Sequence, residues 1–426
     1  TMRAALWLVA LFAIAVASAL FAGNNQASIT LFWPPHRVDL SLNLFLLLLT
    51  GAFITLHLAM RALSALMSIP QQARRWRLLQ NERALHSALL DSLSHLVSGR
   101  FIRARKAAEQ MLSMEEAVQQ RGERLSHAAR LRTLAHLLAG ESAHALQDRG
   151  LRDEHFQKAM QESASRDAQE AREGVQLRGA RWALDDHDAP NALLWLDQLP
   201  QGAARRTAAL RMRFRAARLA GQSLVALETA RLLTKHRAFS EAAGYSIVRG
   251  LAIELIRGAH DGVQVQRAWD ALDTAEQRIP EVAFEAAERL LGHGGDVALS
   301  RQWLLPVWDG MAQSRDALTL AQRIRLARLL ERGFAESGGE LDTAWLTRIE
   351  TAQMGNPRDA VLQYLAGVVC MRLSLWGKAQ QLLKQSLAML QESELRRDTW
   401  LALAQLAEQR QDAQGAAEAY REAAKR

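Results

Sequence analysis

Two long apolar runs open the chain, and helical periodicity follows almost without relief. From Ala4 to Ala22 no charged residue occurs, and nine positions are Leu, Val, Ile or Phe. A helix of that length, at roughly 1.5 Å per residue, approaches the ~30 Å hydrocarbon thickness of a bilayer. Those nine residues contribute about −4 kcal/mol to insertion. The second run, Leu40 to Met60, carries nine Leu, two Phe and one Ile. The same sum gives about −5 kcal/mol, opposed by Asn43 and His57. Between the runs, Gly23 to Asp39 reads as a short turn, and its Phe32, Trp33, Pro34 and Pro35 include aromatics suited to a membrane interface. The pattern predicts an all-α protein. Residues 1–70 form a two-helix transmembrane hairpin with spans at about 4–22 and 40–60, and residues 71–426 form a tetratricopeptide-like α-solenoid.

Beyond Pro70, Gly, Pro, Asp or Asn interrupts the helical pattern every 15 to 20 residues or so, and no strand alternation is seen. The C-terminal pair is clearest. Trp400, Leu403, Ala404, Ala416, Tyr420 and Ala423 stand where the tetratricopeptide pattern places a large, a medium and a small residue on one helix, and a small residue and an aromatic on the next. Small residues at Ala404 and Ala416 let the helices approach, and Trp400 and Tyr420 fill the adjoining gaps. Gly367, Trp376, Ala379, Leu383 and Ser386 repeat the pattern one pair earlier, and Ala379 lies 37 residues before Ala416. Upstream, Ala192 and Ala226 are 34 residues apart, Gly221 marks a turn, and Gly99, Phe101 and Ala104 mark another pair. Glu281–Met311 and Asp316–Gly355 read as degenerate pairs, with Asn356-Pro357 restarting the next. About eight to ten pairs are expected over 78–426. An irregular helical bundle is the alternative, but bundles rarely carry successive small-residue pairs in register.

Charge adds direction to this picture. Lys and Arg number 53 against 45 Asp and Glu, and between Gln71 and Gln110 eight basic residues face three acidic ones. Arg3 precedes the first run and only Arg37 lies between the runs, whereas Arg61, Arg74, Arg75, Arg77 and Arg83 follow the second. The positive-inside rule then places both termini in the cytoplasm, with Met2 taken as the start. Ala17-Ser18-Ala19 offers a signal-peptidase pattern as the rival reading, under which the second span would still hold the large domain inside. Trp33, Arg61, Arg74, Arg75, Trp76 and Arg77 are the expected membrane-interface residues, each basic group gaining ~1 kcal/mol from anionic lipid. Nucleic acid would use the same charges, but their place beside a span favours lipid.

Candidate chemistry is sparse. Phosphate-binding glycine loops, dinucleotide fingerprints and nucleophile elbows are missing from the sequence, and the single Cys370 excludes paired-cysteine metal or redox motifs. Gly292-His293-Gly294-Gly295 reads as a helix turn rather than an oxyanion loop. No two histidines form H-x-x-x-H, and His136 and His144 are too far apart to share a metal unaided. His57 and His36 are weak candidates for haem ligation or proton handling. Asp185, Asp186 and Asp188 beside His187 read as helix caps rather than an acid/base site. Cys370, among Val368, Val369 and Met371, reads as core. A stronger binding signal is Arg211, Arg215 and Arg218 at i, i+4 and i+7, with Arg181 one repeat earlier. Facing the groove, these guanidiniums suit carboxylates, the bland reading being a solvated charged face. No catalytic, cofactor or metal residue is assigned.

An apolar hairpin whose loop reads Ser28-Ile-Thr-Leu-Phe-Trp-Pro-Pro-His-Arg-Val-Asp-Leu40, a basic run and degenerate helical repeats resemble the proteobacterial HemY family of inner-membrane tetratricopeptide proteins. The resemblance is most specific over residues 2–110. It implies association with haem (porphyrin) biosynthesis, whose enzymes would be the protein partners. It does not imply catalysis, since the flavoprotein oxidase that shares the name needs a dinucleotide fingerprint that this chain lacks. The related membrane-anchored repeat protein of lipopolysaccharide assembly ends in paired cysteines, which are missing here. A membrane-held scaffold is therefore expected, with a tetrapyrrole- or haem-binding carrier as the alternative.

Overall fold

The computed structural model describes residues 12–19, 23, 27–122, 125, 127–336 and 343–425. They divide between two compact units, Thr1–Ala168 and Gln169–Arg426.

In the first unit, residues 12–19 of the expected first span are helical, and the rest of 4–22, with Arg3, lies outside the described residues. The turn expected between the spans is instead an antiparallel hairpin of β1 (Ser28–Trp33) and β2 (His36–Ser41), so the chain is not wholly α-helical. Ile29, Leu31, Val38 and Leu40 alternate with Thr30, Arg37 and Asp39, a period-two pattern that Pro34-Pro35 folds back on itself. Ser41 ends β2 and caps α1 (Leu42–Val97), its hydroxyl accepting from the Leu44 amide. Leu40 and Ser41 thus belong to the strand rather than to the span. Among the described residues one helix is long and apolar enough to cross a membrane, Leu42–Ala65, with a mean hydropathy of 2.0 and an unburied surface. It is only the first part of α1, whose 56 residues extend about 84 Å and continue past position 70 into the repeats.

The far end of α1 packs on α2 (Phe101–Gln120), α2 packs on α3 (Ala128–Ala145), and α3 packs on α4 (Arg149–Glu162). Leu85, Met111, Leu131 and Ala135 form the core of this bundle. Arg132 ties three of its helices, reaching Glu115 on α2 at 2.7 Å and Glu162 on α4 at 2.9 Å.

The second unit consists of paired helices: α5 (Gln169–Asp185) with α6 (Ala189–Asp197), α7 (Thr207–Leu219) with α8 (Ser223–Lys235), and α9 (Glu241–Arg257) with α10 (Gly262–Asp270). They continue as α11 (Pro280–Gly292) with α12 (Val297–Gln313), α13 (Leu320–Glu336) with α14 (Thr343–Gly355), α15 (Ala360–Arg372) with α16 (Trp376–Met389), and α17 (Ser393–Gln409) with α18 (Ala413–Ala424). The join between α13 and α14 lies outside the described residues. Each first helix packs on the second helix of the preceding pair, and α5 meets α7, α9 meets α11, α11 meets α13, α13 meets α15 and α15 meets α17. Contacts confined to neighbours define a solenoid.

One turn recurs through both units. Gly99, Gln147, His187, Gly221, Gly294, Ser374 and Gln411 all adopt positive φ, between 60° and 72°. The residue after each donates its amide to the carbonyl five positions back, as Asp148 does to Ala143 and Leu375 to Cys370. This is the Schellman closure, which satisfies the last carbonyls of the first helix. Five residues past five of these positions a buried alanine receives the neighbouring helix, at Ala104, Ala192, Ala226, Ala379 and Ala416, and after Gly294 the buried small residue is Ser300, six positions on. Arg152 takes that place in α4. Two tryptophan pairs join the second helices, Trp269 stacking on Trp303 at 4.7 Å and Trp308 meeting Trp345 edge-on at 5.6 Å.

Candidate interaction surface

The first helices of the second unit are joined by a ladder of arginine–carboxylate contacts one repeat apart. Arg206, before α7, meets Glu173 on α5 at 3.0 Å, and Arg215 on α7 lies 4.0 Å from Asp185. Arg218 on α7 donates to Glu254 on α9, and Arg257 on α9 to Glu285 on α11 at 2.8 Å. Arg325 on α13 reaches back to Glu288 at 2.7 Å, while Arg323 on the same helix pairs with Asp359 at the start of α15. The exposed pairs among these contribute about 0–1 kcal/mol each, so they fix the register of the stack more than its stability, whereas Arg323 and Asp359 are largely buried. The ladder also leaves one continuous face of alternating charge.

Of the residues singled out in sequence, Arg181, Arg211, Arg215 and Arg218 are all exposed on α5 and α7. Arg211 donates to the Ala238 carbonyl at 3.4 Å, and Arg215 and Arg218 stand in the ladder. Arg181 takes no partner among the described residues. A ligand carboxylate at this stripe would compete with Asp185 and Glu254 for two of its guanidiniums.

The face changes character toward the C-terminus. Arg328 on α13 reaches past α15 to Glu394 at 3.0 Å and Asp398 at 3.2 Å on α17. Beside it the buried Tyr364 hydroxyl donates to Glu331 at 2.9 Å. Burial pushes the Glu331 carboxyl above the ordinary range despite this bond, and pushes the Tyr364 hydroxyl up as well. Sequence reading missed this cluster, because its members are 30 to 70 residues apart and each looks like a solvated helix residue.

Other sequence candidates resolve into structural parts. Asp188 caps α6 by accepting from the Asn191 amide, and Gly292–Gly295 is the turn between α11 and α12. Cys370 is buried, and burial raises its thiol pKa. Gly367 is where α15 meets α16, because a Cβ there would stand 2.8 Å from Leu383 Cγ. Ala379, Ala404 and Ala416 are buried and Trp400 packs on the core, whereas Tyr420 is 40% exposed and bonds to Glu408. Trp33, Arg61, Arg74, Arg75, Trp76 and Arg77 are exposed on the hairpin tip and on α1. A pair not foreseen is His136 on α3 and His155 on α4, with Nδ1 atoms 3.0 Å apart. Burial, then the neighbouring imidazole, lowers the His136 pKa to about 4. Among the described residues no three His, Cys, Asp or Glu side chains are placed to hold a metal.

These features define a helical-repeat protein whose first repeat helix is continuous with an apolar, membrane-length segment. The family model described as HemY protein N-terminus matches residues 27–147, which take in β1 through α3. Over those residues the chain is similar to the HemY family. No curated protein matches it. Among solved structures, it is similar to Naa15/Naa10 bound to HypK-THB, at 10% identity over 76% of this chain and 56% of that one, with a TM-score of 0.25. Against the P58(IPK) TPR domain the values are 14%, 77%, 99% and 0.22, and against the APC/C hetero-tetramer Cut9-Hcn1 they are 12%, 84%, 84% and 0.22. The chain therefore spans little more than half of the first of these. Such TM-scores carry no argument, and the repeat assignment rests on the pairing and turns described above.

Proposed function

We propose that this chain is a membrane-anchored scaffold: residues 1–70 form a hairpin in a bacterial inner membrane, and the cytoplasmic repeats over 71–426 gather protein partners on their first-helix face. The observation that carries this reading is α1, one helix that is apolar over Leu42–Ala65 and packs into the first repeat at its other end. An anchor built into a repeat holds the stack at the bilayer without a loose linker, and partners collected there meet at raised local concentration. The likeness of residues 27–147 to the HemY N-terminal model points to enzymes of haem (porphyrin) biosynthesis as those partners, with anionic lipid contacting Arg61, Arg74, Arg75, Trp76 and Arg77. Both termini are cytoplasmic in this reading, and no catalysis is assigned to the chain.

Photo-crosslinking groups at Arg211 and Arg218 test it. They are expected to capture a small defined set of proteins in intact cells, while one at Leu232 on α8 captures none; equal capture at all three sites would count against the face. The tetrapyrrole-carrier reading draws on the exposed Arg181 beside the stripe, which has no partner among the described residues. Its test is a porphyrin titration, in which an unmoved Soret band and an unchanged affinity in Arg211→Ala/Arg215→Ala dispose of it.

A further inference from the structure

The membrane-distal half of α1 carries an apolar stripe that is left exposed among the described residues. Trp76, Leu79, Leu90, Leu93 and Val97 are 46–82% exposed, and with Arg83 and His86 they recur at alternating intervals of three and four residues. At about 100° per residue these positions span roughly 100° of the helix circumference. The packed face, with Leu85 and Ser92 fully buried, lies to one side, Ser92 donating to the Ala104 carbonyl on α2. Ile102, at the start of α2, is also 55% exposed.

The stripe has a definite charge. Its two polar members are Arg83 and His86, Arg75 flanks it, and Arg100 and Arg103 follow its end, while Glu82 is the acid at its edge. A second copy of α1 pairing along this seam in parallel would set Arg83 against Arg83 of the other copy, a like-charge contact at the core of the pair. An anionic lipid surface meets the same pattern without conflict, since apolar side chains enter the acyl boundary, basic ones reach headgroups and Trp sits between.

Resting on the membrane reading above, we propose that the second half of α1 lies along the bilayer surface with this stripe in the interface, so that the first repeat is docked on the membrane rather than held away from it. A straight α1 would carry Val97 about 48 Å beyond Ala65. Docking therefore turns the helix axis between Ala65 and Trp76, the stretch containing Pro70, whose missing amide hydrogen removes one rung of the helix ladder.

The test uses the full chain in a Cys370→Ala background, reconstituted in vesicles of phosphatidylethanolamine and phosphatidylglycerol. A polarity-sensitive fluorophore is attached singly at Phe53→Cys, Leu79→Cys, Leu90→Cys, Val97→Cys, Gln80→Cys or Ser87→Cys. Labels at 79, 90 and 97 are expected to emit at shorter wavelength and to lose emission to nitroxides on the acyl chains, as the label at 53 does. Labels at 80 and 87 are expected to respond to aqueous iodide instead, and replacing phosphatidylglycerol with phosphatidylcholine should weaken the effect at 79, 90 and 97. If 53 is quenched by acyl nitroxides while 79, 90 and 97 respond to iodide, docking is overturned and the anchor stands. Shielding of 79, 90 and 97 from both quenchers means that protein covers the stripe, and this too overturns docking. Loss of acyl quenching at 53 as well overturns the membrane reading itself.

Discussion

Asp359 joins two repeats through a single side chain, and its removal should loosen them in a way that can be read helix by helix. One oxygen accepts from the amides of Val361 and Leu362 at 3.0 and 3.2 Å, capping α15. The other takes Nη1 of Arg323 on α13, whose side chain is only 15% exposed. Loss of the cap costs about 1 kcal/mol. Stranding the arginine adds about 2–3 kcal/mol, somewhat below the 3–5 kcal/mol of a fully buried pair. Asp359→Ala should therefore lower the local opening free energy by about 3 kcal/mol, which speeds amide exchange roughly a hundredfold. Asp359→Asn keeps an oxygen over the helix end and loses only the charge, so its loss should be about 1 kcal/mol smaller. The assay is native-state hydrogen exchange of the intact chain, followed by peptide. Because solenoid helices contact only their neighbours, the effect should centre on α13, α15 and α16 and leave α5–α8 unchanged. A change below about 0.5 kcal/mol at α15, or an equal loss across the whole unit, would refute the reasoning.

Further outcomes follow from the same geometry. Gly367→Ala gains about 1 kcal/mol of helix propensity but forces the buried Leu383 aside at a cost of about 1–3 kcal/mol, so α15 and α16 should exchange faster, and Gly367→Val faster still. Ser374→Gly relieves a left-handed residue that carries a side chain, and should raise the thermal midpoint by an amount equivalent to about 1 kcal/mol. Two carboxylates should respond oppositely to pH. Arg257 holds Glu285 low, so its contribution is lost as pH falls below 4.5; burial raises Glu331, so stability declines as pH rises above 4.5, and Glu331→Gln should abolish that decline while keeping an oxygen for Tyr364. His136 and His155 are both held below 6.5, so the folded first unit resists protons that the unfolded chain accepts. Stability measured by exchange in α3 and α4 should fall as pH drops from 6.5 toward 4, by about 2 kcal/mol after allowance for solvent, and His136→Phe should flatten that slope.

Local signals made part of this fold legible in sequence. An uncharged run such as Leu40–Met60 has few structural meanings, and small residues such as Ala379 and Ala416 mark close helix approach because little else fits there. The turns were visible where Gly99, Gly221 and Gly294 occupied the left-handed position and where capping aspartates surrounded His187, and hidden where Gln147, Ser374 and Gln411 did, since none of these is an ordinary helix breaker. The β-hairpin was obscured by Pro34-Pro35, which reads as a loop and drew attention from the alternation on either side. Pro70 suggested a boundary where α1 continues, because one proline weakens a helix without ending it when both sides are strongly helical. The ladder, the Glu331–Tyr364 cluster and the His136–His155 pair depend on which helix faces which, and that information is held in packing across 19 to 70 residues of chain.

The claim that the anchor and the scaffold are one device is tested most directly by deleting residues 2–70, then fractionating cells after crosslinking and comparing the captured proteins with those of the intact chain. The account predicts that the shortened chain leaves the membrane fraction and that recovery of its partners falls sharply. Undiminished recovery of every partner from an unchanged membrane fraction would contradict it.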